Sequence, residues 1–416
     1  MQALPTAVYS SPVLLRVREP VSWPTVMLSV AVLLVNYLPV LLFVPIGTAP
    51  KFALVIALLV FAWLAGLRSG VLEGRSDRYM PYGLFFAYYL YAVLSMVING
   101  EHVNNALTIF GIVVMQPLIV FASIMLRDRK RSFVLVMAWG SGVIFAMVGY
   151  LLLVQGSLEL LRIGETYQNI NMYLGIFASL MLSMEAKTLW RGVVAKTLAL
   201  LAVFCMLLVG GRAAVVAVMA VFLIFTAFVG RKKGFQVAFL IVLIVLALLY
   251  WNLIADTRFF QRMIGLAGDD DSSKRIFLFT KAIELFKSNF VFGAGINAFP
   301  AYINKFEEGW YPHNIFLDVA SSLGVIGLVL FSAFIMYAIY DFMRFRKLTD
   351  RYSIQSFCVF IYVLITYQFV GELVAAWLLY LALGMSLPNT KLTLAHLRRR
   401  SRLHPAPVAP LSSPSQ

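Results

Sequence analysis

The chain has 416 residues, of which 61% are hydrophobic and 13% charged, with a mean hydropathy of +0.87 and a formal net charge of +15. Soluble domains carry about a quarter charged residues, so this composition excludes a water-soluble globular protein. Uncharged runs such as "GFQVAFLIVLIVLALLYWNLI" do not alternate as a transmembrane β-barrel requires. The reading is therefore all-α, a polytopic helical membrane protein.

Apolar stretches of roughly 20 residues can each span a bilayer. In chain order they fall at about 24–45, 51–67, 81–99, 104–126, 133–154, 170–186, 194–209, 213–229, 235–254, 314–340, 353–370 and 373–387, about 12 transmembrane helices. Arg16 and Arg18 precede the first run, which is longer than a signal-peptide core and reads as a retained helix. "GGR" (Gly210 to Arg212) separates the seventh and eighth, and "GE" (Gly371, Glu372) the last two. Residues 1–254 then hold helices 1–9, 255–313 one large outer loop, 314–390 helices 10–12, and 391–416 a Pro- and Ser-rich tail that reads as disordered. Cys205 and Cys358 lie inside apolar stretches and suggest neither a disulfide framework nor a metal site.

With the N-terminus inside, the cytoplasmic segments collect 24 of the 34 lysines and arginines. Seven more sit in the long outer loop, where charge says little about orientation, and three in short outer loops. Both termini are expected on the cytoplasmic side. The net charge follows from this bias, so no nucleic-acid partner is implied. The three exceptions are Lys51, Arg162 and Arg212. Lys51 reads as an interfacial anchor, whereas the two arginines break a strong trend.

In the outer loop, "DDDSSKR" (Asp269 to Arg275) reads as polar loop. Beyond it Ile276, Phe279, Ile283 and Phe286 recur at helical spacing, an amphipathic helix that would lie on the membrane or cap a cavity between helices. "FGAGINAF" then turns on two glycines. On this topology His313, Arg162, Arg212, Arg275 and Glu372 all project to the outer side. A neutral histidine can accept a hydroxyl proton near neutral pH. Arginines offer a permanent fork of donors to phosphate, and several of them stabilise charge as a diphosphate leaves. The plainer readings are membrane-anchoring for Arg162, solvated charges for Arg275 and the "DDD" run, and simple pairing for Glu372. Arg212, between small residues, sits too near apolar stretches to be a casual loop charge. His102 also faces outward but lacks basic neighbours, and His396 and His404 are cytoplasmic. Trp251, Trp310 and Tyr311 fit an interfacial aromatic belt in contact with membrane lipids.

These residues carry a resemblance. "HNIFLDVASSLGVIG", "GGRAAVVA" and "SSKRIFLFTKAIELFKSNFVFGAG" together resemble the O-antigen ligase and polymerase superfamily, directly over about 160–330. Gly211 stands where family members often have serine, and Phe290 to Phe292 where they often have proline before the Gly-x-Gly. The resemblance implies a GT-C-type glycosyltransferase in a bacterial inner membrane, working on the periplasmic face without a metal or other cofactor. In the ligase branch the donor is undecaprenyl-diphosphate-linked O-antigen and the acceptor lipid A–core oligosaccharide. His313 would be the general base. Arg162, Arg212 and Arg275 would bind the diphosphate, with Glu372 and Asn314 in support.

Two nearby alternatives share this logic, an O-antigen polymerase and a protein O-oligosaccharyltransferase. A lipid or glycan transporter is the rival of a different class. It would place charges near the bilayer midplane and show inverted repeats, whereas here the mid-span stretches are nearly uncharged.

Overall fold

The computed structural model describes residues 21–41, 80–99, 111–155, 166–184, 188–228, 270–303, 311–346 and 349–388, with a few between 56 and 64. Among them regular structure is entirely helical. The helices are α1 (Trp23–Leu41), α2 (Met80–Ile98), α3 (Gln116–Met125), α4 (Lys130–Tyr150), α5 (Thr166–Leu182) and α6 (Leu189–Val209). They continue with α7 (Arg212–Phe228), α8 (Asp270–Ser288), α9 (Ala298–Tyr302), α10 (Ile315–Phe345), α11 (Arg351–Val370) and α12 (Trp377–Ser386). Five described segments, the 28 residues Arg127–Val154 among them, are long and apolar enough to cross a membrane. The expected span at 235–254 and the tail at 391–416 lie outside the described residues.

In lipid, helices gain little from burying apolar surface and associate through close packing and polar contacts between them. The packing is tight where glycine permits it. Gly175 of α5 presses on the Tyr362 ring of α11, and Gly384 of α12 on Ser123 of α3, each leaving no room for a Cβ. The centre is aromatic: Phe85 and Tyr88 of α2 meet Phe331 and Phe334 of α10 and Tyr380 of α12, at ring separations of 5.5–6.4 Å. Phe342 and Phe357 stack at 3.7 Å and 2°, joining α10 to α11.

Two boundaries differ from the expectations. The run Asp270 to Arg275 is the first turn and a half of α8 rather than a polar loop, because carboxylates at a helix N-terminus favour its dipole. The buried stripe of α8 is Leu278, Ala282 and Leu285, packed with Phe299. Ile276 and Ile283, two of the apolar residues at helical spacing, are 65% and 40% exposed, so the helix keeps a second apolar face turned away from the protein. The last two spans are separated by six residues, Gly371 to Ala376, not two.

A further feature was not legible. Helix α10 breaks at Gly324, with φ 64° and ψ −167°, a conformation essentially reserved for glycine. The break frees the carbonyls of Ser321 and Ser322 and the amides of Val325 and Ile326. All four are taken by the turn after α8. Ala294 N donates to Ser321 O at 2.9 Å and Gly295 N to Ser322 O at 2.9 Å. Val325 N donates to Phe290 O at 2.8 Å, and Ile326 N to Val291 O at 3.5 Å. A Cβ at Gly293 or Gly324 would strike the opposing backbone. Non-helical backbone at membrane depth survives only when its polar groups are satisfied within the protein, and here the two glycine motifs satisfy each other. The joint ties α8 to α10.

Candidate functional site

At the end of α11, the last four carbonyls of the helix have no partner within it, and each finds one elsewhere. Gly371 N donates to Tyr367 O at 3.1 Å. Asn314 Nδ2 donates to Gln368 O at 3.2 Å. Arg275 Nη1 reaches Phe369 O at 3.4 Å, and the Tyr311 hydroxyl reaches Val370 O at 3.4 Å. Two segments far apart in sequence are thus drawn to one helix terminus, whose negative dipole end suits a guanidinium.

His313 lies between two of these anchors. Its neighbour Asn314 caps α10, with Oδ1 accepting from the Phe316 and Leu317 amides at 3.0 Å each. Its ring stands 4.1 Å from the Tyr311 ring, tilted by 44°. The histidine is half-buried with Nδ1 turned inward. Its backbone has φ 53°, and Asn297 is the only other described non-glycine residue with positive φ. Left-handed backbone costs a non-glycine residue about 1–3 kcal/mol and persists where surrounding bonds enforce it. The Tyr311 and Asn314 anchors do so here.

Glu372 follows two residues after Val370, half-buried in the connector between α11 and α12. That connector is fastened by side chains absent from the sequence reading. Asp318 Oδ2, in the first turn of α10, accepts from Leu373 N at 2.7 Å. Gln116 Nε2 donates to Leu373 O at 2.9 Å, and the Tyr367 hydroxyl donates to Ala375 O at 3.3 Å. An acid inside an apolar stretch is a signal that sequence does offer. What Asp318 would bind is not.

Arg212 opens α7. Gly210, at φ 92°, closes α6 in a Schellman turn, in which Gly211 N donates to Met206 O at 2.9 Å and Gly210 N to Leu207 O at 3.2 Å. A Cβ at Gly211 would overlap the Asn171 side chain of α5, so an amide stands in the space a serine there would need. The Asn171 backbone carbonyl in turn accepts from the Tyr362 hydroxyl of α11 at 3.1 Å. Arg212 is therefore at the same end of the bundle as Arg275, His313 and Glu372, but on the α5–α11 side. Arg162 lies outside the described residues. Lys281 and Glu284 pair on the exposed face of α8 at 2.6 Å. That contact holds the carboxyl below and the ammonium above their usual ranges and draws neither toward the site.

The opposite end of the bundle is basic. Lys130 donates to Leu387 O and Lys196 to Leu182 O, while Arg127, Arg129, Arg344 and Arg351 cluster at helix termini there.

Chemically the site end offers a titratable imidazole in an enforced backbone conformation, a guanidinium 38 positions earlier in the chain drawn to the same helix terminus, and a carboxylate beside it. A base and a cation at one helix terminus suit proton removal from a nucleophile and charge stabilisation on a leaving group. Residues 197–332, about a third of the chain, match the family model described as O-antigen ligase. The segment contains Arg212, Arg275, His313 and Asn314 and leaves out Arg162 and Glu372. No curated protein matches the chain.

Proposed function

From the premise that residues 197–332 carry an O-antigen ligase segment, we propose that this membrane protein transfers a glycan from undecaprenyl diphosphate to lipid A–core oligosaccharide. The reaction takes place on the periplasmic face of a bacterial inner membrane, in a GT-C-type arrangement of about twelve spans. His313 removes the proton from the acceptor hydroxyl. The oxygen attacks the anomeric carbon as the bond to the diphosphate oxygen breaks, with inversion and no metal. The electron pair leaves on the diphosphate, whose charge Arg275, Arg212 and Arg162 take up. Asn314 holds the His313 turn, and Glu372 orients the imidazole or an arginine.

The observation that carries this reading is the terminus of α11, where Arg275, Tyr311 and Asn314 converge on three successive carbonyls. That gathering supports one site built around His313 rather than separate surface charges. The test mixes purified protein in detergent with the lipid-linked glycan donor, without nucleotide or metal. Lipid A–core is offered as acceptor in one arm and a second lipid-linked glycan in the other. Mass spectrometry of the first arm should show glycan-bearing lipid A–core. Product only in the second arm would make the protein a polymerase, and product in neither would discard glycan transfer.

A further inference from the structure

Leu373 is the residue next to Glu372, and both of its backbone polar groups are bonded to side chains from other helices. Its amide goes to Asp318 of α10 and its carbonyl to Gln116 of α3, 55 and 257 positions away. Both side chains are buried. A π-helical turn, Gly111–Met115, leads into Gln116, and Gly111 lies so close to Val374 that a Cβ would stand 3.0 Å from its side chain.

Burying a carboxylate is costly unless it is well bonded. Among the described residues Asp318 has no cationic partner. Its two oxygens accept from Leu373 N at 2.7 Å and from the Ser322 hydroxyl at 3.4 Å. An acid in the first turn of a helix ordinarily serves its own dipole or amides, but the short bond here goes to a different element. What that bond steadies is a six-residue non-helical connector in apolar surroundings, whose one ionisable group is Glu372.

We propose that Asp318 and Gln116 are positioning residues that clamp Leu373 and thereby hold Glu372 toward the His313 end of α11. The inference rests on the transfer reaction proposed above and assigns two residues to it that act only through the connector. Removing the clamp lets the Glu372 carboxylate wander, and a misplacement of about 1 Å can cost on the order of a hundredfold in rate.

The experiment is a double-mutant cycle on full-length protein in the glycan-transfer assay, with Asp318→Ala, Glu372→Gln and their combination. Asp318→Ala should lower kcat by about 10- to 100-fold with KM for the lipid-linked donor within about threefold. The combined variant should lie within about threefold of Glu372→Gln alone, because both changes remove the same contribution. Asp318→Asn, whose amide oxygen can still accept from Leu373 N, should recover most of the loss. Losses that multiply, a wild-type kcat in Asp318→Ala, or a Glu372→Gln variant at the wild-type rate would each overturn the clamp. If Asp318→Ala does not fold, Gln116→Ala enters the same cycle with the same criteria. Wild-type protein that transfers nothing would sink the parent reaction instead, a result separable from additivity in an active enzyme.

Discussion

At the C-terminus of α5 and at that of α11, four backbone carbonyls lack partners in their own helix, and both sets are satisfied. At the α5 end Ser183 N serves Ser179 O and Gln355 serves Leu180 O, while Lys196 serves Met181 O and Leu182 O. At the α11 end Gly371 N serves the first carbonyl, and Asn314, Arg275 and Tyr311 serve the other three. The side-chain donors at the α5 end, Lys196 and Gln355, stand on the neighbouring spans α6 and α11 and bind helix to helix. Those at the α11 end include Tyr311 and Asn314, at the non-helical entry to α10, and Arg275 of α8. The same backbone need thus makes a structural rivet at one end and, at the other, gathers the residues of the proposed site.

The largest effect that would sharpen this contrast is on His313. His313→Ala should lower kcat for glycan transfer by about 10²–10⁴-fold, with the thermal midpoint of the purified protein little changed. Retained wild-type turnover would remove the base from the scheme.

Next comes Gly324→Ala, which places a Cβ against the Val291 backbone and forbids the break in α10. It should cost about 3 kcal/mol or more, read as a lowered unfolding midpoint in detergent together with weakened donor use. An unchanged midpoint would mean that the α8–α10 joint is not as tight as its four bonds suggest.

Lys196→Met tests the other end. It leaves Leu182 O without its donor, while Met181 O keeps the Met184 amide, so stability should fall by about 1–3 kcal/mol while the kinetics of transfer stay at wild type. A change in KM for the donor would mean that the two ends are coupled. The smallest effect is expected from Asn314→Asp. The carboxylate keeps the N-cap bonds to Phe316 and Leu317 but cannot donate to Gln368 O. Stability should then drop by about 1 kcal/mol, with a lower kcat; Asn314→Ala, losing the cap as well, should be worse by about another 1 kcal/mol.

Much of the fold was legible because a bilayer imposes a simple rule on long apolar runs. The runs at 81–99, 314–340 and 353–370 correspond to α2, α10 and α11 within a few residues. The glycines of "GGR" and "FGAG" also announced turns, since positive φ at Gly210, Gly293 and Gly295 needs a residue without a Cβ. Within α8 the spacing of Ile276, Phe279, Ile283 and Phe286 announced a helix with an apolar face, but not which residues pack on the protein: that stripe is Leu278, Ala282 and Leu285, because apolar residues lie on more than one side of the helix.

The amino-acid order by itself determined a bundle of apolar helices, a basic set of loops, and a short roll of unusual polar residues near span ends. It did so because hydropathy and charge act locally, against the membrane rather than against other parts of the chain. Only the tertiary structure decided that Arg275, Tyr311 and Asn314 share one helix terminus, that Gly293 and Gly324 face each other, and that Asp318 and Gln116 hold Leu373. Those choices depend on which unpaired backbone groups meet which donors across up to 257 positions, and no local pattern records such a meeting.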